Sequence, residues 1–157
     1  MTDEIAYMTA TQVIKAYADK DLSPVEVTGA ALDRIEKHNG KVNAFCSLAA
    51  EEAIAAAHAS EERWSRGEPL GLMDGVPTSI KDLNYVKGWP TGRGSLTTEG
   101  DPVADVDAPL VSRFRESGAV LLGKTTTPEY GWKGVTDSPL TGITRNPWDL
   151  QKTPGGS

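Results

Sequence analysis

Cysteine occurs once, at Cys46, so no disulfide can close within the chain. The sequence predicts a small buried apolar role for it. Histidine occurs twice, as His38 and His58, and neither has a metal-ligating partner at a familiar spacing. There is no Gly-x-Ser-x-Gly elbow and no His-Glu-x-x-His pattern. A serine–histidine–aspartate triad within the chain and a zinc hydrolase are therefore poorly supported, and no metal or other cofactor is expected. No apolar run approaches the eighteen or more residues of a membrane span. The acidic start, Met1-Thr2-Asp3-Glu4, lacks the basic-then-apolar order of a signal peptide. These features predict a cytoplasmic protein with no membrane partner. Positive charge is also short: 16 Lys and Arg stand against 22 Asp and Glu, a net charge of −6. A broad nucleic-acid face needs a basic patch to neutralise phosphates, so no nucleic-acid partner is expected.

The first 66 residues read as mainly helical. Thr9-x-x-Gln12 is a capping box ahead of Val13, Ile14 and Tyr17, which predicts a short helix to about Asp19. Ser23-Pro24-Val25-Glu26 places a capping serine, a proline and a glutamate at the start of a second helix. That helix is expected to stop at Asn39-Gly40. Residues 42–48 alternate as a strand. The alanine- and glutamate-rich stretch 49–66 predicts a helix closed by Gly67. From residue 67 the composition shifts toward strands and loops. Val76 to Ile80 reads as a short strand, with Pro77 fitting an edge or first-residue position. Asp105 to Glu116 supplies an aspartate cap, an early proline and helical apolar spacing. Gly118 ends that helix, and Val120-Leu121-Leu122 follows as a buried strand. Strand, helix and strand suggest a crossover in an α/β layer with helices on a sheet.

Two stretches carry chemistry. Gly75-Val76-Pro77-Thr78-Ser79-Ile80-Lys81-Asp82 puts a lysine at the end of an apolar strand. A lysine in water is protonated. Burial disfavours the ammonium, and a neutral amine can take a proton from a hydroxyl. The alternative is a surface lysine paired with Asp82. Pro154-Gly155-Gly156-Ser157 is permissive backbone ending in a hydroxyl, with N–H groups open to an oxyanion. Taken alone it also reads as a linker.

Together these stretches resemble the amidase signature family. Gly118-Ala119-Val120-Leu121-Leu122-Gly123-Lys124-Thr125, then Thr127-Pro128-Glu129-Tyr130, then Thr144-Arg145-Asn146-Pro147-Trp148 lie between them in the family's order. The resemblance covers about residues 70 to 157. It implies an α/β fold with a mixed central sheet covered by helices, of which residues 1–157 are the N-terminal portion of one domain. It implies that Lys81 is the catalytic base and Ser157 the bridging serine of a Ser–Ser–Lys site. The nucleophilic serine and the oxyanion hole are expected beyond residue 157, so the chain alone is expected to be inactive. The segment after Pro128 lines the acyl pocket in related amidases. Gly131 and Trp132 are carried over as substrate-binding candidates, with Tyr130 beside them, although Trp132 also suits an ordinary core. The loop Gly92-Arg93-Gly94-Ser95 departs from the family's threonine-rich form, so no role is carried over to it; Arg93 reads as a solvated loop residue, with a place facing an anionic group as the alternative.

The expected activity is hydrolysis of a small carboxylic amide through an acyl-enzyme, without cofactor. A homodimer is a family-level expectation. One alternative is the glutamine-hydrolysing component of a tRNA-dependent amidotransferase. That component's segment usually reads Asn-Met-Asp-Glu-Phe where this chain has Thr126-Thr127-Pro128-Glu129-Tyr130. Another is a non-enzymatic binding module, if the polypeptide truly ends at Ser157.

Overall fold

The computed structural model describes residues 2–156. A short helix, α1 (Thr2–Ile5), precedes α2 (Ala10–Asp19). Both halves of the expected capping box are present: the Thr9 side chain accepts from the Gln12 N–H, and the Gln12 side chain accepts from the Thr9 N–H. Such a cap contributes about 1 kcal/mol. Helix α3 (Pro24–Val42) starts with the second box, Ser23 N–H donating to Glu26 at 2.8 Å and Glu26 N–H to Ser23 Oγ at 3.2 Å.

Helix α3 runs past the expected stop at Asn39-Gly40. Asn39 uses its side chain on the segment that follows. Its Oδ1 accepts the N–H of Ala44 and of Phe45, each at 2.8 Å, and its Nδ2 donates to Phe45 O at 3.0 Å. The left-handed residue that turns the chain is Asn43, at φ 52°. Strand β1 (Phe45–Leu48) and helix α4 (Ala50–Arg66) follow, and Gly67 closes α4 at φ 73°. Cys46 is exposed, which corrects the expected burial. Burial alternates along β1, and Cys46 falls on the outer set with Leu48.

Strand β2 (Pro77–Lys81), helix α5 (Pro109–Glu116) and strand β3 (Val120–Thr125) form the expected strand–helix–strand. The sheet order is β1-β3-β2. β1 is antiparallel to β3, with Phe45 opposite Thr125 and Ser47 opposite Lys124. Along β2 and β3 the bonded positions rise together: Val120 N–H donates to Val76 O and Asp82 N–H to Thr125 O, both at 3.0 Å. Those two strands are parallel, and the sheet is mixed. Pro77 opens a strand at the end of that order, where its missing N–H leaves no gap in a ladder. A small hairpin, β4 (Asp137–Ser138) and β5 (Gly142–Ile143), completes the elements.

The chain forms two compact units interleaved in sequence. One comprises Met1–Glu36, Ala49–Ser79 and Ser112–Leu122; the other comprises Lys37–Leu48, Ile80–Val111 and Gly123–Ser157. The first is built on Val13, Tyr17 and Val27, with Ile5, Met8, Ile14, Leu22 and Trp64 against them. Tyr17 buries its ring and donates its hydroxyl to Gly75 O at 2.9 Å. The same unit holds a buried carboxylate, Asp74, gripped by Arg63, Ser60 and the Leu70 N–H. The second unit carries the loops described next. Among the described residues no helix is long and apolar enough to cross a membrane.

Candidate active site

Lys81 is the last residue of β2 and is half-buried. Its parallel neighbour β3 ends at Thr125 and leads into Thr126–Trp132. Lys81 and that segment thus leave the sheet at the carboxyl ends of adjacent parallel strands, where open α/β sheets place their ligands. Asp82 continues the pairing beyond the strand. Its N–H donates to Thr125 O, and its carbonyl accepts the Arg93 N–H at 3.1 Å.

The glycine-rich end is built in, not trailing. Gly155 O accepts from Thr136 Oγ1 at 2.6 Å and from Thr153 Oγ1 at 3.1 Å. Gly156 lies flat on residues 133–135: a Cβ there would stand 2.8 Å from Val135 C and 3.0 Å from Lys133 O. The second glycine is therefore required by close approach of two backbones. Ser157, the expected bridging serine, lies outside the described residues.

The expected pocket segment follows Pro128 as one tight turn, Glu129–Gly131, with Tyr130 at φ 51° and Gly131 at φ 71°. The loop 93–98 fixes it. Tyr130 N–H donates to Arg93 O at 2.8 Å, buried Ser95 donates to Glu129 Oε1 at 2.7 Å, and the Thr97 and Tyr130 hydroxyls meet at 2.6 Å. Among the described residues nothing covers most of Trp132, which is 77% exposed. Tyr130, Gly131 and Trp132 immediately precede the residues against which the terminal glycines lie.

Arg93 is not a solvated loop residue. Its guanidinium lies 5.3 Å from the Tyr85 ring centre, bonds the Tyr85 hydroxyl and faces Asp101 at 3.6 Å. These side chains, with Thr91 and Val103, line a cavity of about 350 Å³.

Sequence reasoning passed over Lys124. Its side chain is 1% exposed, donates to Thr91 Oγ1 at 2.6 Å and stands 3.3 Å from Asp82 Oδ1. Asp82 is buried and also accepts the Gly92 N–H at 3.1 Å. Burial pushes the Lys124 ammonium down from its ordinary value, against the pull of Asp82. Burial pushes the Asp82 carboxyl up, against Lys124 and the Gly92 N–H. The signal was available: Lys124 ends the run Val120-Leu121-Leu122-Gly123, more apolar than the run before Lys81. Among the described residues no cluster of three or more His, Cys, Asp or Glu could hold a metal ion.

Residues 26–157 match the Amidase family model. The chain is 39% identical over 149 residues to the indoleacetamide hydrolase of Bradyrhizobium diazoefficiens, covering 95% of the chain and 28% of that protein. It is 38% identical over 158 residues to the acylamidase of Rhodococcus erythropolis, covering all of the chain and 33% of that protein. A glutamyl-tRNA(Gln) amidotransferase component from Alkaliphilus metalliredigens is 37% identical over 154 residues, covering 98% and 31%. The crystal structure of a bacterial aryl acylamidase of the amidase signature enzymes superposes with a TM-score of 0.89 at 36% identity, over 96% of this chain and 31% of that one. The chain spans about a third of the length of these relatives.

Proposed function

The chain belongs to the amidase signature family, and on that premise we propose that it is the lysine-bearing part of an enzyme that hydrolyses a carboxylic amide. Lys81 is the general base. Its amine takes the proton of Ser157, which takes that of a nucleophilic serine in the remainder of the protein. That serine attacks the amide carbonyl, the relay returns a proton to the departing amine, and water cleaves the acyl-enzyme. The observation that carries this reading is the position of Lys81 at the carboxyl end of β2, in the same compact unit as the anchored glycines. A small-molecule amide is the substrate, no resident metal is needed, and the protein works in the cytoplasm, as a homodimer in keeping with the family.

Tyr130, Gly131 and Trp132 form one wall of the acyl site. An exposed indole beside a glycine presents a flat apolar face. Trp132→Ala is expected to leave the thermal midpoint nearly unchanged, since exposed substitutions shift stability by about 0.5 kcal/mol or less. It should raise KM for amides with bulky acyl groups by roughly tenfold, the worth of about 1.4 kcal/mol of lost contact. Unchanged KM across an acyl series removes Trp132 from the pocket.

The test of the main reading uses the complete protein purified alone, with aryl and aliphatic amides. Equal amounts of acid and amine are expected, and added hydroxylamine should divert the acyl group to a hydroxamate. The relative that belongs to an amidotransferase supports a second reading, glutamine hydrolysis within a multi-component complex. Glutamine turnover that appears only with partner proteins, and no turnover of other amides, would favour it. The Thr126–Tyr130 sequence, unlike Asn-Met-Asp-Glu-Phe, favours the free-standing enzyme.

A further inference from the structure

We propose that Lys124 is a positioning residue for the reaction at Lys81, acting through Asp82. This rests on the reading of Lys81 as the base. Asp82 follows Lys81 directly and is held on every polar group it offers. Its N–H donates to Thr125 O, its carbonyl accepts the Arg93 N–H, and its carboxylate accepts the Gly92 N–H and faces Lys124. Lys124 in turn reaches Thr91 at 2.6 Å, one residue before Gly92. One buried ammonium therefore joins the end of β2 to the loop that crosses it. Lys81 closes β2 and Asp82 opens the tight turn that follows, in which the Leu83 N–H, at 2.7 Å, and the Asn84 N–H, at 3.0 Å, both donate to Lys81 O. A grip on Asp82 holds that turn, and with it the end of the strand from which Lys81 projects.

Stability alone is a weak reason for such a pair. Each buried ion is costly to desolvate, and well-packed apolar residues of similar volume often serve the fold equally well or better. Geometry is the better reason. Displacing a catalytic group by about 1 Å can cost about 100-fold in rate.

The experiment compares Lys81→Ala, Lys124→Met and the double variant Asp82→Leu/Lys124→Met in the complete protein, reading kcat, KM and the thermal midpoint with an amide substrate. Lys124→Met is expected to lower kcat about 100-fold with KM within threefold of the parent. It should also lower the midpoint, because Asp82 is left buried and unpaired. The double variant should recover the midpoint and not kcat, since the carboxylate that holds Gly92 is gone. Recovery of both together makes the pair purely structural and overturns the proposal. Where the double variant does not recover the midpoint, Lys124→Met assayed below its own unfolding decides, and kcat within threefold of the parent overturns it. Near-parent turnover by Lys81→Ala defeats the general-base reading and this inference with it. A dead Lys81→Ala beside a fully active double variant defeats the inference alone.

Discussion

Lys81→Ala in the complete protein is expected to lower amide turnover by roughly 100- to 10,000-fold, the range that a positioned general base supplies. The base acts as the proton leaves the hydroxyl, so kcat and kcat/KM should fall together and KM should stay near its starting value. Lys81→Arg should not rescue, because a guanidinium stays protonated and offers no lone pair. Neither change should unfold the protein. Lys81 is half-buried at the end of β2, and the apolar residue anchoring the strand is its neighbour Ile80, 2% exposed. Circular dichroism of both variants should match the parent, with midpoints within a few degrees. Turnover of Lys81→Ala within threefold of the parent would remove this lysine from the mechanism.

Local signals decide the outcome where one short stretch suffices. Thr9 with Gln12 and Ser23 with Glu26 set two helix starts by contacts that span three residues. Pro77 restricts where β2 can sit, and Gly67 ends α4. The failures share a cause: a side chain engaged by something distant or unexpected. Asn39 resembles a stop because asparagine often ends helices. Its amide instead holds Ala44 and Phe45, and the helix runs on to Val42. Lys124 and Thr91 meet across 33 residues of sequence, a pairing no local pattern contains. The exposure of Cys46 follows from strand alternation only once the register of β1 is known. The glycines before Ser157 read as permissive backbone, yet one of them is needed because residues 133–135 pass within 3 Å of where its Cβ would be.

Asp74→Ala is expected to be the most destabilising single change, at about 3–5 kcal/mol, the usual result of stripping one partner from a buried pair. Asp74 is fully buried; Arg63 reaches both of its oxygens, at 2.9 and 2.6 Å, Ser60 donates at 2.7 Å and the Leu70 N–H at 2.7 Å. Removing the carboxylate orphans four donor atoms on three residues at once, and domains of this kind have only about 5–15 kcal/mol in total. The thermal midpoint of the complete protein should drop with it. The pH dependence has a fixed sign. Burial pushes the Asp74 carboxyl up, but Arg63, the Leu70 N–H and Ser60 together outweigh it and hold it below its ordinary 3.8. A carboxyl held low in the folded state stabilises in full above its unfolded value and loses that contribution as pH falls through the folded value. Asp82 shifts the other way, so the raw pH curve mixes two carboxylates of opposite sign. Subtracting the stability of Asp74→Asn from that of the parent at each pH isolates Asp74. The difference should be flat from about pH 7 down to about pH 5 and then shrink toward pH 2. A difference that grows with acid would mean that the carboxylate is a burden on the fold, and that Arg63 is held by other contacts.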